Sequence, residues 1–287
     1  AQRAKNGQAP LPLKLFPTDC CRPRLMAEIR SFDKLLLVGG LGVRSALGLN
    51  ASVTDLRGGM IDGWITETRD DRGMVTVRTL SRDDVAQVPA GARPIRAMPT
   101  LHPSFVMRAR RWTHVFRSDV GRAVRWWAGA LGWKPPKITY HPDPETLRRF
   151  LARPEPYFAY DLETDGIEPL TAKIRCVGIG TAEEVMIVGL LGKDGYTKFY
   201  PSADELRVRA ILRDFFLNDE ITKVGHNAGS YDRMVMESQE GYTPTPVIDT
   251  ILLHRLSGES ELPHNLGFVG SMYTDAPSWK TDREGNK

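Results

Sequence analysis

Cysteine is scarce in this chain. Cys20, Cys21 and Cys176 are the three in 287 residues, an odd number that excludes a disulfide framework and fits a reducing, cytoplasmic setting. No apolar run approaches the length of a membrane span, so no transmembrane segment and no membrane partner are expected. The amino terminus opens Ala1-Gln-Arg-Ala-Lys5 without the apolar stretch of a secretory signal. Internal repeats and low-complexity tracts are lacking too. What is present is ordinary for a globular protein, with 41% hydrophobic and 26% charged residues, and the length allows two domains with a core each.

Acidic residues are missing from one stretch in particular. Between Leu101 and Lys137 eight Lys/Arg stand against the lone Asp119, although the net charge of the whole chain is only +4. Trp112, Phe116, Trp126, Trp127 and Trp133 are interleaved with them. Basic side chains beside aromatics suit a phosphate backbone with bases free to stack, and Arg108, Arg110 and Arg111 are the candidates for phosphate contact. A solvated helix face over buried tryptophans accounts for the same pattern.

The expected organisation is α/β in two domains: residues 1–133, a linker over 134–142, and residues 143–287. In the first, Cys21 to Ile29 reads as helix and Lys34 to Val38 as a buried strand. Gly39-Gly40-Leu41-Gly42 makes a strand-to-helix turn, lacking the spacing and the Lys-Ser/Thr of a phosphate loop. Trp64 to Thr68 and Met74 to Leu80 read as strands joined through Arg69-Asp-Asp-Arg-Gly73, a hairpin loop. The paired prolines of Lys134-Pro135-Pro136-Lys137 mark the linker. Beyond it, Asp143 caps a short helix with Pro144 in its first turn. Strands follow at Tyr157–Leu162, Ile174–Thr181, Val185–Leu190 and Thr222–Gly225. Ser202-Ala-Asp-Glu205 reads as a capping box for a helix with Val208, Ile211, Leu212 and Phe215 on one face, and further helices follow Ser230 and Asp249. Such an order suits a mixed sheet.

Asp161 and Glu163 are the most informative residues. Two positions apart on a strand, they point to one face. A third carboxylate from a later element would complete a pocket tolerable only with bound cations, and oxygen ligands of this kind suit Mg²⁺ or Mn²⁺ and attack on a phosphodiester. Tyr157-Phe-Ala-Tyr-Asp161-Leu-Glu163-Thr-Asp-Gly166 and Val224-Gly-His226-Asn227-Ala-Gly-Ser-Tyr231-Asp232 closely resemble the first two motifs of the DnaQ-like (RNase H-like) 3′–5′ exonucleases, nearest the proofreading domain of family A DNA polymerases. Val247-Ile-Asp249-Thr-Ile-Leu-Leu-His254, His264 to Phe268, Tyr273-Thr-Asp275 and Trp279-Lys280 look like the phage-type branch. The resemblance implies that Asp161, Glu163 and Asp232 hold two Mg²⁺ or Mn²⁺ ions, and that Asn227 and Tyr231 shape the site beside a single-stranded DNA 3′ end. Asp249 is either a further member or the N-cap of the helix after it, and the cap is the favoured reading; His226 is equally a buried structural histidine. The family's third motif, Tyr-x-x-x-Asp, does not occur after Asp232. That departure suggests a fragment, or half of a split protein. Proofreading of DNA ends is therefore expected, with a stand-alone exoribonuclease and a non-catalytic nucleic-acid clamp as rivals.

Ala97-Met-Pro99-Thr-Leu-His102-Pro103-Ser104-Phe105 resembles the His-Pro-Ser/Ala motif of the uracil-DNA glycosylase superfamily. Cys21-Arg-Pro-Arg-Leu25, Leu35 to Gly39 and Leu56-Arg57-Gly58 follow that family's order. His102 takes the place of the residue that stabilises the departing base anion. The water-positioning acid and proline are missing at Gly39 to Gly42, and the cysteines for an iron–sulfur cluster are too few. A DNA-binding remnant with an αβα fold is the expectation for this half.

Overall fold

The computed structural model describes residues 21, 24–25, 27–29, 31–47, 52–69, 75–78, 92–257 and 261–277. Cys20, most of the hairpin loop after Arg69, Met74, Leu80, Trp279 and Lys280 lie outside them. The chain divides into two compact units. One comprises Ala1–Trp133, Glu261–Pro263 and Gly267–Lys287, and the other Lys134–Ser260 and His264–Leu266.

In the first unit, β1 (Lys34–Val38) runs into α1 (Gly39–Leu47), followed by α2 (Val53–Leu56), β2 (Ile61–Arg69), β3 (Val75–Arg78) and β4 (Arg93–Thr100). The sheet order is β1-β4-β2-β3. β1 and β4 are parallel, whereas β2 is antiparallel to both β4 and β3. The expected hairpin of β2 and β3 is present. The long strand β4 was not legible, because Pro94 and Pro99 read as strand breakers. Leu35, Leu37, Val43, Leu47, Ile95 and Ala97 form the core between sheet and α1. After β4 come α3 (Pro103–Arg108), a single 3₁₀ turn (Arg110–Trp112) and α4 (Thr113–Trp127).

The second unit holds a six-stranded mixed sheet in the order β10-β9-β6-β7-β8-β5. Its elements are β5 (Lys137–Tyr140), α5 (Pro144–Leu151), β6 (Tyr157–Thr164), β7 (Ile174–Gly180), β8 (Glu184–Gly189), α6 (Ser202–Leu217), β9 (Thr222–Gly225), α7 (Tyr231–Glu240), β10 (Val247–Asp249) and α8 (Thr250–Leu256). β5 occupies part of the expected linker. Pro136 disfavours helix but lets the chain stay extended, so Lys137–Tyr140 pairs in parallel with β8, the Lys137 amide donating to Glu183 and the His141 amide to Ile187. Asp143 caps α5 as expected, accepting from the Glu145 and Thr146 amides. The capping box at Ser202 does not form. Ser202 is already helical, Pro201 stands at the N-cap, and the Glu205 carboxylate pairs with Lys198 and Arg209 instead.

One face of this sheet carries the core. Phe158, Tyr160, Leu162, Val177, Ile179, Met186 and Val188 pack against Leu147 and Phe150 of α5, Val208, Ile211, Leu212 and Phe215 of α6, and Val235 and Met236 of α7. The alternation along β6 is strict, so Asp161 and Glu163 fall on the opposite face. The last described helix, α9 (Leu266–Tyr273), begins at the boundary of the second unit and continues in the first. None of the described helices is long and apolar enough to cross a membrane.

Candidate active site

The site grows from β6. Asp161 pairs with Gly178 and Glu163 with Cys176 across the antiparallel ladder to β7, so both carboxylates stand on the uncovered face above small neighbours. A cavity of about 450 Å³ lies there, lined by Asp161, Glu163, Cys176, Ile187, His226 and Leu266 among others. Burial raises the pKa of Asp161, and the neighbouring Glu163 charge raises it further.

Asp232 arrives from the first turn of α7 and is only 5% exposed. Its carboxyl is pushed up to about 7, first by burial and next by the Asp161 charge, with the Leu162 amide offsetting part of this. The same burial and the Asp232, Asp249 and Asp161 charges drive the Tyr160 phenol upward, and its hydroxyl has no hydrogen-bond partner among the described residues. Like charges crowded this way favour protonation of one member, or a cation.

The loop between β9 and α7 fixes the remaining residues. Asp249, 8% exposed, accepts from three amides: Asn227 at 3.0 Å, Gly229 at 2.9 Å and Ile251 at 2.9 Å. It is thus the N-cap of α8 and the anchor of the loop, as the cap reading holds. Gly229 suits that approach, since a Cβ there would lie 3.2 Å from the Asp249 Oδ2, tighter than ordinary contact. Asn227 is exposed with φ of 68°, a left-handed turn that asparagine tolerates, and its Oδ1 accepts from the Ser230 hydroxyl at 2.7 Å. The Tyr231 hydroxyl donates to the Gly166 carbonyl at 2.7 Å and meets the Thr164 hydroxyl at 2.8 Å. It thereby ties α7 to the end of β6. His226 shares a hydrogen bond between its Nδ1 and the Thr250 hydroxyl, and burial lowers its pKa.

Asp161 therefore feels both Glu163 and Asp232, but the three do not form a closed ligand set. Among the described residues no three His, Cys, Asp or Glu side chains gather tightly enough to hold an ion. The donor chemistry fits a hard divalent cation, since these are carboxylate oxygens that repel one another. Gly178, Gly180, Cys176 and Ile187 were missed as lining residues, because only the strand register reveals which residues share the face with Asp161.

The first-unit candidates do not belong to this cavity's lining. His102 is exposed and caps α3, its Nδ1 accepting from the Ser104 amide at 3.1 Å. Arg108, Arg110 and Arg111 are exposed, and Arg111 pairs with Glu261 at 3.0 Å. Trp112 is buried, together with Val115 and Phe268. Asp119 is buried against Arg57.

Comparison with known proteins agrees with the second unit. The 3′–5′ exonuclease family (DNA_pol_A_exo1) matches residues 139–283, about half of the chain. No curated protein matches. Among solved structures, NrnC of Brucella melitensis with bound Mg²⁺ is 21% identical at a TM-score of 0.38, covering 49% of this chain and 63% of its own. RNase D of Escherichia coli, an exoribonuclease involved in structured RNA processing, is 20% identical at 0.39, covering 51% of this chain and 36% of its own. The catalytic core of RRP6 from Trypanosoma brucei is 24% identical at 0.36, covering 48% and 34%. The chain thus spans under two thirds of the length of each. On the family match across β5 to α9, this chain belongs to the 3′–5′ exonuclease family.

Proposed function

We propose that the second unit is a metal-dependent exonuclease that removes nucleotides from the 3′ end of single-stranded DNA, as the proofreading part of a family A DNA polymerase. The observation that carries this is the placement of Asp161 beside both Glu163 on the same strand face and the buried Asp232 of α7, whose carboxyl is pushed up to about 7 by burial and then by the Asp161 charge. In this reading Asp161, Glu163 and Asp232 hold two Mg²⁺ or Mn²⁺ ions, which when bound supply an activated water and neutralise charge on the phosphodiester. Asp161 and Glu163 keep their carboxylates on the open face, where a strand end has access. Asp232 is held by α7 from the buried side. Tyr231 braces the end of β6 against α7, and Asn227 borders the position of the 3′ nucleotide. Asp249 is a positioning residue that holds the Asn227–Gly229 loop.

A second reading is a clamp that binds an end without cutting, favoured by the unclosed ligand set among the described residues. A 5′-labelled oligonucleotide, as DNA and as RNA, followed over time with Mg²⁺ or EDTA, separates these. Stepwise shortening of DNA that EDTA and Asp161→Ala abolish supports the proposal. Shortening confined to RNA replaces the substrate, and binding without shortening selects the clamp. For the first unit we propose DNA contact through Arg108, Arg110 and Arg111 with His102 beside the strand, and no base excision. Abasic sites in a uracil-containing oligonucleotide, lost with His102→Ala, would overturn that.

A further inference from the structure

The strand register carries the carboxylate face sideways to a pair of stacked rings. Glu163 on β6 pairs with Cys176 on β7, and Cys176 with Gly189 at the end of β8. Paired residues share a face, and the flanking Val188 and Leu190 point into the core, so Gly189 opens toward the side of Asp161 and Glu163. A Cβ on Gly189 would collide with the His141 ring and lie 2.7 Å from the Phe199 Cδ2. Both rings therefore stand over Gly189 on the carboxylate face, and a side chain at Gly189 would push them off.

The two rings are stacked, with centroids 4.1 Å apart and planes 11° from parallel. His141 is exposed and Phe199 is 41% exposed, and neither belongs to the core cluster of this sheet. Tyr140, 65% exposed, lies 6.5 Å from His141 and pairs with Ile187, in the row that leads through Gly178 to Asp161. His141 holds φ at 48°, a left-handed conformation that a residue with a Cβ adopts at a cost. Core packing does not account for rings placed in this way. None of Tyr140, His141, Gly189 and Phe199 lines the cavity around Asp161.

We infer that His141 and Phe199 form a base-stacking subsite for the single-stranded DNA whose 3′ end lies at the carboxylates. This rests on the exonuclease reading and adds to it a second point of contact on the same sheet face. A stacked pair presents an outer ring face, and a nucleobase extends the stack whatever its sequence. From β6 to β8 is two strand spacings, about 10 Å, or roughly three stacked nucleotides. Between them lie Cys176, Gly178 and Ile187, which carry no charge to repel phosphate and little bulk to obstruct a strand. The subsite thus takes the base about three positions from the 3′ end, and it favours longer strands over dinucleotides.

The probe is a single-stranded DNA of about ten nucleotides, with phosphorothioate linkages at its 3′ end so that it survives in Mg²⁺, and 5-iodouracil at one chosen position. Near-ultraviolet light joins that base to an aromatic ring stacked on it, and peptide mass spectrometry locates the ring. With the full chain, iodouracil about three positions from the 3′ end should join Tyr140, His141 or Phe199, and the same base near the 5′ end should not. Phe199→Leu keeps apolar bulk, and His141→Asn tolerates the left-handed backbone. Each should weaken binding of this strand about tenfold and leave the affinity for a thymidine dinucleotide unchanged. A merely structural role would weaken both ligands alike, and that result overturns the inference. So do an unchanged affinity for the strand and cross-linking only to rings elsewhere. The nuclease reading fails separately. A strand of natural linkages that cross-links here but is never shortened upholds the subsite without the nuclease, and shortening without these cross-links removes the subsite alone.

Discussion

Asp232 carries the clearest pH signature of any single residue. Its folded-state carboxyl is raised to about 7, whereas an ordinary aspartate titrates near 3.8. Between those values the folded state keeps a proton that the unfolded chain has released, so this group's contribution falls as pH rises through that window. In EDTA, urea melts should show lower stability at pH 8 than at pH 5, and Asp232→Asn should flatten the difference. The variant should gain up to about 4 kcal/mol at pH 8 while losing nuclease activity. An unchanged slope would mean that Asp232 is ionised in the fold throughout. Divalent cation should also raise the wild-type melting temperature, and Asp161→Ala should erase that gain through lost linkage.

At the scale of elements, Asp249 and the arginines at the end of α3 and in the 3₁₀ turn carry testable roles. Asp249 joins three otherwise orphaned amides from the β9–α7 loop and the start of α8. Removing a buried charged acceptor leaves those donors unpaired, so Asp249→Ala should cost about 2–3 kcal/mol in denaturant melts. Asp249→Asn, which keeps one acceptor oxygen, should lose less. Equal losses would show that carboxylate charge rather than hydrogen bonding matters. In the first unit, phosphate contacts should appear in the salt dependence of DNA binding. Replacing Arg108, Arg110 and Arg111 together should reduce the slope of log K against log salt by roughly two, since each phosphate contact contributes about one. Arg111 already has Glu261 as a partner, so its share is the smallest. A slope left intact would assign the cluster to a solvated surface.

The whole molecule is not two beads in sequence. Arg122 is 2% exposed and donates to the carbonyls of Ser271, Thr274 and Ala276. Arg57, paired with Asp119, whose carboxylate also accepts from the Thr100 hydroxyl, donates to the Ser271 hydroxyl and sits over the Phe268 ring. The segment after Leu266 is therefore a structural part of the first unit, although the family match runs through it. A fragment ending at Trp133 lacks the carbonyls that Arg122 donates to and the Ser271 and Phe268 contacts of Arg57, which should destabilise it by about 3 kcal/mol or more. We expect poorly dispersed amide NMR spectra from residues 1–133, and native-like dispersion once a peptide of residues 261–277 is added. A well-dispersed spectrum from the fragment alone would show that the clasp is dispensable.

The amino-acid sequence by itself determined what alternation and local chemistry can carry. Strict period-two patterning put Asp161 and Glu163 on one side of β6, the Asp-Pro-Glu signal started α5, and Asp249 was readable as a cap. The spacing of Val208, Ile211, Leu212 and Phe215 likewise defined the buried stripe of α6. Tertiary structure alone decided the rest. Proline and glycine stretches mark turns in isolation, yet β4 and β5 gained strand pairing from partners far along the chain. Asp232 acquires its raised pKa only when α7 buries it beside Asp161. Arg57 and Asp119 read as surface charges until a distant segment closes over them. These outcomes rest on contacts between residues tens to hundreds of positions apart, whose register and burial no local pattern encodes.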